Sequence, residues 1–198
     1  LQEGLSEKYI HPGITTTGEV EWALRQLVRN YGLDTWFHPS VSIQRSDEGN
    51  KEFLRSFSNR PKDQVILSGD LLHVDFGITY LRLNTDTQQH FYVLKPGEKE
   101  VPEYLRKAFK NGKRVQDILI ENFRQGRTGN EILAAALAQA KSEGLVASIY
   151  THPIGLHGHA AGPTIGLWDA QEGVKGRGDY PLYENTAYSI ELFDATGG

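Results

Sequence analysis

The chain of 198 residues contains no cysteine and no methionine. The missing cysteines exclude a disulfide scaffold, a thiolate nucleophile and a Cys-ligated zinc site. No run of Lys or Arg occurs, and 21 basic residues against 25 acidic ones leave a net charge of −4. That balance speaks against a nucleic-acid binder or a membrane-surface anchor, since both need a positive field. The longest apolar stretch, Ile132 to Ala140, is far short of the roughly 20 residues that span a bilayer. Internal repeats, low-complexity tracts and linkers are absent, so residues 1–198 read as one domain with a real core. The chain opens at Leu1 inside charged, helical-looking sequence and stops at Gly198 just after a strand-like run. With no methionine and no signal peptide, it is expected to be a fragment of a longer protein.

What is present is an alternation of helices and strands, an α/β or α+β pattern. Thr16 to Glu19 (TTGE) has the spacing of a capping box. Val20, Leu24, Leu27, Val28 and Tyr31 then form one helical stripe, with Gly32 placed to end it. Phe37 to Gln44 reads as extended, and a polar loop follows in which Phe53, Leu54 and Phe57 are the only apolar anchors. Leu71 to Tyr80 and Gln88 to Leu94, rich in β-branched and aromatic residues, read as strands. Pro102 opens a long helix carrying Leu105, Phe109, Val115, Ile118, Leu119 and Phe123. Thr128 to Glu131 (TGNE) caps another over Ile132 to Lys141, closed by Gly144, and Val146 to Phe193 is strand and loop.

Chemistry concentrates in three places. Asp75, in His73-Val-Asp-Phe-Gly77, is followed eleven positions later by Asp86, both in runs that otherwise read as buried sheet. A lone buried carboxylate costs several kcal/mol. Two together are tolerable with a metal, unless Asp86 is a turn residue and Asp75 a solvated strand edge. Next, His152, His157 and His159 place three of the seven histidines within eight residues of a Gly-rich segment. Neutral imidazole is the commonest metal ligand, and on a strand His157 and His159 would point the same way; the alternative is a hydrogen-bonded His in a tight loop or a surface loop that happens to be His-rich. Finally, Glu191 is the one acid in the apolar run Thr186 to Leu192, either a ligand or a charge turned outward on an edge strand.

The order Asp, Asp eleven later, a Gly-rich His segment and Ser-Ile-Glu resembles the superfamily of methionine aminopeptidases, Xaa-Pro aminopeptidases, prolidases and creatinase. The likeness runs from Pro12 through the first helix to Phe37, then over Gly69 to Leu94, the two later helices and His152 to Glu191. It implies the pita-bread fold, a curved, mostly antiparallel sheet covered by helices, with residues 1–198 forming one catalytic-type domain. By this resemblance Asp75, Asp86, His159 and Glu191 would be metal ligands, with His157 and His152 binding the substrate carbonyl or shuttling protons. His157 and His159 could exchange roles. The flavour is nearest to Xaa-Pro aminopeptidase and prolidase.

Three departures stand beside the likeness. Trp168-Asp169 occupies a place where the family has a further His, and the loop around His38 and Asp47 is unlike the usual motif. No Glu follows Glu191, so the family's last carboxylate strand is expected to be missing. The activity implied is a metal-dependent exopeptidase that removes N-terminal residues of peptides through a hydroxide activated by two divalent ions (Mn, Co, Fe or Zn). The rival class is a metal-deficient pita-bread domain acting as a binding module. Superfamily members of the Xaa-Pro type often dimerise through a separate N-terminal domain, so a homodimer is an expectation for the longer protein.

Overall fold

A computed structural model describes residues 1–45 and 63–195. The polar-loop anchors Phe53, Leu54 and Phe57, as well as Asp47 and the terminal Thr196 to Gly198, lie outside the described residues. The chain divides into two compact units, Leu1–Val101 and Pro102–Gly198, each with its own core.

In the first unit, helix α1 spans Thr17–Asn30. Its capping box is formed as expected: the Thr16 hydroxyl accepts from the Glu19 amide, and the Glu19 carboxylate accepts from the Thr16 amide at 2.8 Å. Val20, Leu24 and Val28 are buried, whereas Tyr31 is exposed. The expected stripe therefore ends one turn early, with Tyr31 as the exposed C-cap. Gly32 takes φ +69°, and the next amide, of Leu33, returns to the Val28 carbonyl at 3.1 Å.

Strands β1 (Asp34–Thr35), β2 (Ser40–Gln44), β3 (Leu71–Phe76), β4 (Ile78–Tyr80), β5 (Leu83–Asn84) and β6 (Thr87–Tyr92) follow. The extended segment expected from Phe37 thus begins as strand only at Ser40. The single strand expected over Leu71 to Tyr80 breaks at Gly77 into two strands of different sheets, ordered β2-β3-β6 and β1-β4-β5, all antiparallel. Gly77 is required at the break, since a Cβ there would collide with Phe37, Trp36 and the Thr85 carbonyl. On β3, Leu72 and Val74 are fully buried against Ile10, Val20, Leu24, Val41 and Ile66. Period-two alternation then places Leu71, His73 and Asp75 on the opposite face.

In the second unit, α2 (Glu103–Asn122) starts after Pro102, and α3 (Gly129–Ser142) starts three residues before the expected Ile132. The second capping box, Thr128 with Glu131, is closed from both sides. Val115, Ile118, Leu119, Ile132, Leu133 and Ala136 make a core with Ile149 and Ile165, while Phe109 is 66% exposed and does not join it. Strands β7 (Ala147–Ile154) and β8 (Ala187–Asp194) form an antiparallel ribbon. Its core face carries Ile149, Tyr188, Ile190 and Leu192. Desolvation pushes the Tyr188 phenol up to about 12, so it remains protonated there. Among the described residues no helix is long and apolar enough to cross a membrane.

Candidate metal-binding residues

Asp75 sits on β3 opposite Gln88 of β6, and Asp86 lies in the two-residue connection between β5 and β6. The same amide nitrogen serves both acids: Gln88 Nε2 donates to Asp75 Oδ1 at 2.9 Å and to Asp86 Oδ1 at 2.6 Å. Two carboxylates therefore converge on one neutral group. The amide itself cancels no charge, and two convergent carboxylates are the donor type that suits a hard divalent cation. Both acids are half-buried. Sequence reading did not single out Gln88; the sign was its place two residues after Asp86 and, in a hairpin, across from Asp75.

One register step along the same face, His73 faces His90, with ring centroids 5.1 Å apart. Packing around the His90 ring lowers its pKa although part of the ring remains exposed.

In the second unit, period two puts Ser148, Tyr150 and His152 of β7 and Ser189, Glu191 and Phe193 of β8 on the face opposite the core. His152 is buried, its side chain 5% exposed, and its Nε2 lies 3.1 Å from Glu191 Oε1. Its Nδ1 lies 3.0 Å from the Pro153 carbonyl. Both ring nitrogens thus face acceptors, whereas a neutral imidazole has one N–H. A proton or a cation at the Nε2 side relieves the conflict; with Nδ1–H on the carbonyl, the Nε2 lone pair and the Glu191 oxygen are both turned toward a shared positive charge. The donor set of carboxylates and one imidazole, with its backbone-held second nitrogen, fits a divalent metal.

His157 and His159 do not lie on a strand as expected: residues 155–159 are successive bends after β7, and both rings are exposed. His159 packs edge-on against His152, centroids 4.2 Å apart. Tyr150 links His152 to Trp168, which stacks on Phe193 at 5.7 Å, so an aromatic wall flanks the His152–Glu191 pair. The buried Ser189 hydroxyl, directly opposite His152 in register, has no hydrogen-bond partner among the described residues. A hollow of about 340 Å³ lined by Arg25, Val28, Arg29, Asp34 and Thr35 contains none of the expected site residues.

Residues 2–194 match the model of metallopeptidase family M24. Among solved structures, the chain resembles X-Pro aminopeptidase from Thermotoga maritima MSB8, with 22% identity, a TM-score of 0.67 and coverage of 93% of this chain and 47% of that one. Prolidase from Pyrococcus horikoshii OT3 gives 19% identity and a TM-score of 0.63 over 93% of this chain and 48% of that one. Methionine aminopeptidase from Rickettsia prowazekii gives 17% and 0.63 over 92% and 69%. At these identities the likeness establishes the fold, which is the pita-bread fold expected from the motifs. The chain spans about half the length of the X-Pro aminopeptidase and the prolidase. No curated protein sequence matches significantly.

Proposed function

The chain belongs to metallopeptidase family M24, and from that membership we propose that it acts as a metal-dependent exopeptidase of the Xaa-Pro aminopeptidase or prolidase kind, taking peptides as substrate. The observation that carries the reading is the family match through residues 2–194. That match runs through both units, and the proposal accordingly treats residues 1–198 as one catalytic-type domain.

The proposed carboxylate ligands are Asp75, Asp86 and Glu191. Of the imidazoles, His152 is the preferred ligand, with His159 as the alternative. The preference is supported by the burial of His152, its 3.1 Å approach to Glu191 and the carbonyl at its second nitrogen. Two divalent ions held by these residues would supply Lewis-acid activation of water and of the scissile carbonyl. Manganese, cobalt, iron and zinc all suit oxygen-rich donors with an imidazole, and manganese is the first to test. Gln88 fixes the two aspartates against each other. The exposed rings of His157 and His159 are placed by the proposal on the substrate side, to orient the scissile carbonyl and carry protons to the leaving amine. The aromatic wall of Tyr150, Trp168 and Phe193 offers an apolar surface to a side chain or proline ring.

The test is hydrolysis of Xaa-Pro dipeptides and of longer Xaa-Pro peptides by the full chain after loading with Mn2+ and desalting, with metal content measured on the same sample. About two ions per chain with turnover is the expected result. Turnover of dipeptides alone would select the prolidase form. A metal-free chain without turnover would overturn the reading.

A further inference from the structure

We propose that the cross-strand histidine pair His73–His90 is a second metal site, separate from the carboxylates, which takes a late transition-metal ion such as Cu2+, Ni2+ or Zn2+. It does not depend on the peptidase reading, because its ligands are neither the aspartates nor residues of β7 and β8.

His73 on β3 and His90 on β6 are direct partners in an antiparallel pair. Leu72 and Val74 point into the core, so both rings stand on the opposite face. Strand geometry fixes their Cβ atoms, so both rings are carried side by side on one face of the sheet. The ring centroids are 5.1 Å apart. Two imidazoles that bind one tetrahedral ion through nitrogens at about 2.0–2.1 Å need their ring centres about 5 Å apart, the separation found here.

The chemistry then selects the ion. Two neutral imidazoles favour copper, nickel and zinc, whereas carboxylate oxygens favour harder ions such as manganese and magnesium. Asp75 stands on the same face two residues along β3, about 7 Å away at the usual rise, and adds a favourable negative field. Ser42 of β2 is the register partner of His73 on its other side, and its hydroxyl or water would complete the coordination. The sheet therefore presents two rows of opposite taste: Asp75 with Gln88 for oxygen-seeking ions, and His73 with His90 for nitrogen-seeking ones.

The experiment is titration of the full chain with Cu2+, read by electron paramagnetic resonance for equatorial nitrogen ligands. Four variants accompany the wild type: His73→Gln, His90→Gln, Asp75→Asn combined with Asp86→Asn, and His152→Gln. The expected result is a two-nitrogen signal in the wild type that either His73→Gln or His90→Gln abolishes. Cu2+ affinity should fall in both by more than the tenfold that losing an outer-shell partner costs at least. The same signal should persist in the aspartate double variant and in His152→Gln. In the unsubstituted chain, Cu2+ should first broaden the imidazole resonances of His73 and His90, a reading that needs no variant to fold. The proposal is overturned if the wild type shows no two-nitrogen signal. It is also overturned if the signal survives both His73→Gln and His90→Gln, or if His152→Gln alone removes it.

Discussion

His152 and Glu191 meet diagonally across the β7–β8 ribbon. In register His152 faces Ser189 and Glu191 faces Tyr150, yet Nε2 of the imidazole reaches Oε1 of the carboxylate at 3.1 Å. Because the ring's other nitrogen is already directed at a carbonyl, the Nε2 lone pair and the carboxylate can share a proton or ligate a common metal. Removing the Glu191 charge without changing its shape should therefore weaken metal retention. Glu191→Gln is expected to lower Mn2+ affinity by at least about tenfold, with the fold intact by circular dichroism. His152→Gln should do the same, and His159→Gln should do less, because the His159 ring is exposed beside His152. Metal content after desalting checks the order; a larger loss in His159→Gln would return the ligand role to that residue.

In the first unit the firmest polar anchor is Arg45 on Asp70. The guanidinium donates from Nε at 2.7 Å and from Nη2 at 2.8 Å, and the Leu67 amide donates to the same carboxylate at 2.7 Å. Asp70 is 1% exposed, so its charge has no recourse to water. Although the Arg45 side chain is 33% exposed, leaving a buried carboxylate such as Asp70 without its partner costs about 3–5 kcal/mol. Arg45→Met, which strands the carboxylate, is expected to reach that range in urea denaturation, and Asp70→Asn to approach it. A loss below about 1 kcal/mol for Arg45→Met would put the pair in the class of exposed ion pairs.

Capping boxes were the best-read features of the sequence, because Thr16 with Glu19 and Thr128 with Glu131 act within one turn and need no distant partner. The acids Asp75, Asp86 and Glu191 were also legible, as charges in runs whose neighbours are buried or strand-forming. What remained hidden depended on distant contacts. Gln88 becomes significant only once β3 and β6 are paired. The break at Gly77 follows from collisions with Trp36, Phe37 and Thr85, which no local pattern shows. Tyr31 and Phe109 fit the helical period yet are exposed, since periodicity says which face a residue shares but not whether anything covers it.

The second unit ties α2 to the end of α3 through Arg114, whose guanidinium donates to Glu121 at 2.8 Å and to both oxygens of Glu143 at 2.7 Å. These bonds hold the Glu121 and Glu143 carboxyls below their ordinary 4.5. Glu131 is also lowered, by its capping bonds to Thr128. A depressed folded-state pKa gives stability that is fully present above the unfolded value and is lost as pH falls through the folded one. The melting temperature of Arg114→Gln should therefore lie below that of the wild type at pH 6 to 7, as thermal scans across pH would show. The difference should begin to close near the ordinary carboxyl value of 4.5 and vanish at lower pH. All three carboxylates are exposed, so added salt should narrow the gap as well. A gap that stays constant from pH 7 to about pH 3 would mean that Arg114 acts through packing rather than charge.

Gly166 carries the most exacting backbone demand near the candidate ligands. Its φ is +72°, and a Cβ there would collide with the Ile149 carbonyl oxygen on β7. The preceding residue, Ile165, exchanges two backbone bonds with Thr151, of 2.9 and 3.0 Å, immediately before His152. A methyl at Gly166 must therefore push this segment off β7 or twist the strand that carries His152. Gly97 is the natural control, since its φ is +88° but nothing lies within 4 Å of its would-be Cβ. Gly97→Ala should lose about 1–2 kcal/mol from the left-handed conformation alone. Gly166→Ala should lose that and a further 1–3 kcal/mol or so from overpacking, measured as the difference in unfolding free energy between the two variants. Equal losses would mean that the Ile149 carbonyl yields without cost. An excess in Gly166→Ala, accompanied by weaker metal retention, would tie the position of His152 to the close approach that only glycine permits.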